Sequence, residues 1–261
     1  MNMSPMRPSS HSYQIGPGPL TPAVRALIVL NVAGFLAAVM MPSLTVWLGL
    51  IPALVVERLW IWQPLTYMFL HGGVFHLLFN MLALWMFGLE LERLWGTRFF
   101  VRYYLVTGVG AAATTVLLSL LPFAFADDIY SAVTVGASGA IYGLLLAYGL
   151  TYPNRPIYMY FVFPIPAKIF VLIIGAISFF SSVTGTGGGV AHAAHLGGIV
   201  VGYVYLMWTG SQFTSTLRSQ WLRWRMARLR KKFDVHAGGR PSGPNGPGGP
   251  PRPGGPDRWV H

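Results

Sequence analysis

Apolar residues in this chain run in blocks instead of alternating. Six stretches, residues 23–41, 75–95, 103–121, 138–152, 167–182 and 190–209, carry few or no charged side chains. Most approach the roughly 20 residues that a helix needs to cross a bilayer. The pattern predicts an all-α polytopic membrane protein, a bundle of six transmembrane helices. The fourth stretch is short and rich in glycine, as suits a helix that begins below the membrane surface where backbone lines a cavity. Residues 42–73 are apolar too, but Pro42, Pro52 and Pro64 interrupt them, and Trp47, Trp60 and Trp62 suit the membrane interface. They predict a long ordered first loop with short helices lying in that interface. The late start and length of the first block mark it as an uncleaved anchor and not a signal peptide.

Composition supports this class. Of the 261 residues, 54% are hydrophobic and only 10% charged, against about 25% charged in a soluble domain. There is no cysteine, which excludes disulfides, thiolate metal sites and cysteine nucleophiles. The net charge of +11 is concentrated beyond residue 210, where ten Lys/Arg face two Asp. A basic segment beside a membrane span points to anionic lipid, not to nucleic acid. With the N-terminus inside, only Arg58 of the 18 Lys and Arg falls on the outer side, so the positive-inside rule places both termini in the cytoplasm. Three regions result: a disordered cytoplasmic N-terminal tail over 1–22, a six-span domain over 23–210, and a basic juxtamembrane segment with a Gly/Pro-rich disordered tail over 211–261. Within the last, Leu222, Met226, Leu229 and Phe233 recur at helical spacing, which predicts an amphipathic helix on the inner leaflet.

Polar side chains inside spans are costly and direct attention to function. In this chain they collect at the outer ends. His76 and Asn80, four apart, share one face of the second span, and His71 precedes them. His192 and His195 open the sixth span, ahead of Gly198 and Gly202. Ser138 opens the fourth within Gly136-Ala137-Ser138-Gly139. Three readings compete. The polar groups glue helices together, with Ser138 as an N-cap. The four histidines bind a metal such as zinc, without a carboxylate or thiolate to accompany them. Or Ser138 is a nucleophile with His195 as its base, while His76, Asn80 and the Ser138 N–H stabilise an oxyanion. No Asp or Glu lies at that depth, so a serine mechanism would use a dyad.

At these residues the sequence resembles the rhomboid family of intramembrane serine proteases. Gly136-Ala137-Ser138-Gly139 matches its G-x-S-G motif, and Ala194-His195-Leu196-Gly197-Gly198 with Gly202 its A-H-x-x-G-x-x-x-G motif. His76 through Asn80 match H-x-x-x-N. Tyr142 matches the aromatic that packs on the catalytic imidazole, and Glu92 and Gly96 match the inner end of the second span. Trp62 and Thr66 are similar to a W-R-x-x-T segment of the first loop, with Gln63 where many members carry Arg.

The resemblance implies Ser138 as nucleophile and His195 as general base, with His76 and Asn80 stabilising the oxyanion. Gly136, Tyr142, Gly198 and Glu92 are supporting residues, and His192 is a bystander. It implies an endopeptidase without metal or cofactor, cutting single-span membrane proteins near the outer end of their helix. Entry would pass the 184–189 loop and the fifth span with Phe179 and Phe180. A bacterial inner membrane suits the charge pattern. The alternative is a proteolytically inactive relative that acts as a scaffold or chaperone for membrane proteins. A transporter is less suited, since neither a charged pair at the midplane nor an inverted repeat is present.

Overall fold

The computed structural model describes residues 18–122, 126–159, 163–184 and 189–209, together with Met226. The chain divides into two units, Met1–Thr214 and Ser215–His261. The expected amphipathic helix and both expected disordered tails lie almost wholly outside the described residues, as does most of the 184–189 loop.

Helix α1 (Pro22–Met40) opens on a proline, whose missing N–H is no loss in a first turn. The first loop folds into three short helices, α2 (Leu44–Leu48), α3 (Pro52–Arg58) and α4 (Gln63–Thr66), followed by a 3₁₀ turn at Tyr67–Phe69. The second long helix, Val74–Trp95, consists of α5 (Val74–Ala83), a π-helical turn (Leu84–Gly88) and α6 (Leu89–Trp95). Helix α7 (Thr97–Ser119), the short α8 (Ala126–Ser131), α9 (Ser138–Thr151), α10 (Ala167–Thr184) and α11 (Gly189–Thr209) complete the helices.

Pro22–Met40, Val74–Trp95 and Thr97–Ser119 are long and apolar enough to cross a membrane, and α9 and α10 contain shorter apolar helices. Among the described residues, these apolar helices, together with α11, make up a polytopic integral membrane protein. Val29, Leu36, Phe75, Phe79, Leu172 and Phe180, each more than half exposed, give it an apolar outer surface.

Two features differ from expectation. Helix α7 starts at Thr97, well before residue 103, because Arg98 and Arg102 are too polar for hydrocarbon yet do not interrupt the backbone ladder. Between α9 and α10 the chain forms an antiparallel hairpin, β1 (Pro156–Met159) with β2 (Phe163–Pro166), registered Pro156 to Pro166. Proline lacks the N–H that a strand lends to its neighbour, so Pro156, Pro164 and Pro166 suit a ribbon with both edges open.

Helix α9 is the centre of the bundle. Ten of its 14 residues are buried, as expected for a helix apolar on every side. At 1.5 Å per residue it spans only about 21 Å of a hydrocarbon core near 30 Å thick. Small residues bring its neighbours in. A Cβ on Gly139 would lie 2.7 Å from the Ala111 Cβ of α7, and one on Gly143 2.8 Å from Thr107. On α11, a Cβ at Gly198 would overlap the backbone carbonyl of Gly139 itself. There two helices pack backbone to backbone, as small residues permit.

At the opposite end of the second helix, the Glu92 carboxylate is 3% exposed. It accepts hydrogen bonds from the backbone N–H groups of Ala23 and Val24, both at 3.0 Å, from Thr97 Oγ1 at 2.7 Å and from Thr21 Oγ1. One anion thus caps the positive ends of α1 and α7 together.

Candidate active site

The loop before α9 dictates where Ser138 stands. Leu50 and Thr134 exchange backbone hydrogen bonds of 2.9 and 2.8 Å, which tie the first loop to the segment ahead of the serine. The Gly136 N–H then donates to the Tyr67 carbonyl at 3.0 Å. Gly136 takes φ +129°, a region that side-chain-bearing residues rarely enter. Ala137 is the N-cap residue of α9, and no side chain caps the helix. Ser138 is therefore not the cap that its position suggested.

Its hydroxyl meets His195 instead. Ser138 Oγ lies 2.8 Å from His195 Nε2, across 57 residues of sequence. With Nε2 accepting from the hydroxyl, a neutral imidazole carries its proton on Nδ1. The ring of Tyr142, one turn along α9, stacks on that of His195 with centroids 4.1 Å apart and planes 7° from parallel. The fully buried Ser178 of α10 donates to the Tyr142 hydroxyl at 3.3 Å. This link to the fifth span had no signal in the sequence, because a serine in an apolar helix belongs to no motif.

His76 approaches from the other side. A Cβ on Gly136 would fall 2.9 Å from His76 Nε2 and 3.7 Å from Ser138 Oγ. The imidazole and the hydroxyl thus flank one small space, which glycine at 136 keeps open. The Gly72 N–H donates weakly to His76 Nδ1 at 3.4 Å, an arrangement that leaves the proton on Nε2, facing that space. Asn80 is 7% exposed and donates from Nδ2 to the His76 carbonyl at 2.8 Å, so part of its amide is committed to its own helix. His71, in the loop ahead of α5, is buried edge-on against His76 with ring centroids 5.0 Å apart. Burial, then the neighbouring His76, pushes the His71 imidazole down to about 4. His192 stands edge-on to His195 at 5.6 Å. The four histidines therefore form two separate pairs. Among the described residues, no group of three or more His, Cys, Asp or Glu could hold a metal ion.

Gly198 holds His195 near Ser138 through its backbone contact with Gly139. Glu92 lies at the far end of the second helix and acts on the bundle, not on the serine.

The first loop is braced at the position of the departure from the family's Arg. Gln63 is fully buried; its Oε1 accepts from the Ile51 N–H at 3.0 Å, and its Nε2 donates to the Val46 carbonyl at 2.9 Å. Trp62 Nε1 and Thr66 Oγ1 donate to the Trp47 and Leu48 carbonyls at 2.9 and 2.6 Å. The rings of Trp47, Trp60 and Trp62 form a continuous stack. Tyr67, which the sequence reading missed, holds Gly136 by its carbonyl and donates its hydroxyl to the Gly108 carbonyl at 2.8 Å.

Comparison with known proteins matches residues 58–212 to the Rhomboid domain. The rhomboid protease GluP of Bacillus subtilis is 33% identical over 151 residues, 58% of this chain and 26% of the relative. Rhomboid-like protein 15 of Arabidopsis thaliana is 30% identical over 210 residues, 74% of this chain and 49% of that protein. The rhomboid protease AarA of Providencia stuartii is 29% identical over 158 residues, 54% of this chain and 53% of that protein. The chain thus spans from a quarter to about half of the length of these relatives. With the domain match covering more than half of its residues, this chain belongs to the rhomboid family.

Proposed function

We propose that the protein is an intramembrane serine endopeptidase. The observation that carries this reading is the 2.8 Å contact of Ser138 Oγ with His195 Nε2 at the start of a central helix too short to span the bilayer. Ser138 Oγ attacks the scissile carbonyl while its proton passes to His195 Nε2. The imidazolium then protonates the leaving amine, and water resolves the acyl-enzyme by the same route in reverse. The developing oxyanion is met by His76 Nε2–H, by the first-turn N–H groups of α9, which have no acceptor within their own helix, and by Asn80 once its amide turns from the His76 carbonyl. One such donor is typically worth about 10²–10³ in rate. Tyr142 and Gly198 fix the imidazole, and Gly136 leaves room for the oxyanion.

Substrates are single-span membrane proteins cut near the outer end of their helix, on the side where the charge pattern puts Ser138. Helical backbone hides its carbonyls, so residues that weaken the helix around the cut favour cleavage. Entry passes α10, where the Phe179 and Phe180 rings stand on the exposed face. The membrane is a bacterial inner membrane with both termini cytoplasmic, and the basic segment beyond residue 210 binds anionic lipid.

The test is cleavage of a tagged single-span substrate by the purified full-length chain in mild detergent. Ser138→Ala and His195→Ala are each expected to lower the rate by at least roughly 10⁴-fold, as loss of nucleophile or base does in other serine hydrolases. Chelator should change nothing. Full activity in folded Ser138→Ala would overturn the reading. A folded wild type that binds this substrate but never cuts it, nor reacts with a fluorophosphonate, would favour the scaffold.

A further inference from the structure

The dyad leaves one proton unanswered. When His195 Nε2 faces Ser138, the proton sits on Nδ1, and that nitrogen is buried without a partner among the described residues. A buried N–H lacking an acceptor is costly, and more so once the ring is charged. In serine hydrolases of other folds a carboxylate answers this proton. Here the glutamates of the described residues are engaged elsewhere: Glu57 accepts from Tyr130, Glu90 pairs with Arg155, and Glu92 caps α1 and α7. Asp127 and Asp128 stand exposed on α8.

Two rings adjoin His195. Tyr142 covers one face, and its hydroxyl is bonded by Ser178. His192, three residues earlier and one turn outward on α11, stands edge-on with planes at 83° and centroids 5.6 Å apart. Its Nδ1 is also buried without a partner among the described residues. The two vacant nitrogens are chemically complementary. His195 offers an N–H; a neutral His192 protonated on Nε2 offers a lone pair at Nδ1. Buried groups of this kind are satisfied in folded proteins by water that bridges them.

We infer that His192 is a positioning residue for His195: one water accepts the His195 Nδ1–H and donates to His192 Nδ1, giving the dyad a neutral third member. No proton is transferred to His192. It holds the reactive tautomer and ring angle, and it stabilises the imidazolium formed when Ser138 gives up its proton. The inference revises the bystander role that the family pattern implies for His192, and it rests on the reading of Ser138 and His195 as nucleophile and base.

The test compares two nearly isosteric variants, His192→Leu and His192→Asn, in the full-length chain, with kcat, KM and the fluorophosphonate labelling rate of Ser138. His192→Leu should lower kcat and labelling about 10- to 100-fold, the factor expected when a charged group loses a hydrogen bond, with KM little changed. His192→Asn, which retains an acceptor near Nδ1, should recover most of the loss. Equal rates in the two variants, whether both normal or both impaired, would overturn the inference. If His192→Leu does not fold, His192→Phe replaces it in the same comparison. Ser138→Ala and His195→Ala are run beside them. Activity there defeats the dyad itself, whereas inactivity there with unimpaired His192→Leu defeats only the role of His192.

Discussion

Replacing Gly198 by alanine adds one methyl group where there is no room for it. Alanine normally improves a helix over glycine by about 1 kcal/mol, so the sign of the effect separates packing from propensity. The new Cβ would lie 2.8 Å from the Gly139 carbonyl carbon and 3.3 Å from its Cα, and closer still to its oxygen. The obstacle is backbone and cannot rotate away. Restoring van der Waals contact requires α9 and α11 to separate by roughly 1 Å at this point, a strain of about 1–3 kcal/mol. Gly139 follows Ser138 directly, and His195 lies one turn before Gly198, so the displacement falls on the 2.8 Å contact between them. That contact would open to roughly 3.5 Å or more, beyond a useful hydrogen bond. A misplacement of this size costs about 10²-fold in rate. The assay is turnover of a single-span substrate, with the unfolding midpoint measured on the same preparations. The control is Gly175→Ala on α10, whose nearest neighbour is Ile199 Cδ1 at 3.7 Å; it should keep full activity and gain up to about 1 kcal/mol of stability. Folded Gly198→Ala with a rate within about threefold of wild type, less than 1 kcal/mol of barrier, would refute the reasoning.

Other expectations follow from the same structure. Glu92→Leu removes four hydrogen bonds to one buried anion and leaves their donors unpaired, so unfolding in mixed micelles should show a loss of about 3–5 kcal/mol. Gln63→Leu leaves the Ile51 N–H and the Val46 carbonyl without partners. A loss of about 2–5 kcal/mol and faster proteolysis within the first loop should result. Tyr67→Phe removes only the bond to Gly108, so a loss near 1 kcal/mol with little change in rate is expected from denaturant titration.

The apolar helices of the bundle were legible because a bilayer imposes both length and composition on whatever crosses it. The predicted ends fall close to the observed ones except at Thr97, where a helix continues through polar residues that hydropathy does not count. The π-helical turn at Leu84–Gly88 and the proline hairpin left no trace, since both depend on how neighbours pack and not on local preference. In the candidate site, the closeness of Ser138 and His195 could be anticipated from their shared depth on two glycine-bearing spans. The separation of the histidines into pairs could not: i, i+3 spacing puts His192 and His195 on one face but does not say which way either ring turns. Nor did spacing reveal Ser178, Tyr67 or the burial of His71 against His76.

Glu92 also sets an order of events during synthesis. The N–H groups of Ala23 and Val24 emerge from the ribosome 69 and 68 residues ahead of the carboxylate that finally accepts from them. At about 5–20 residues per second, α1 waits roughly 3–14 s for that partner. The same carboxylate receives Thr97 only as α7 begins. The first helix can thus enter the bilayer alone, but it cannot be locked in place until the second has followed it and the third has started.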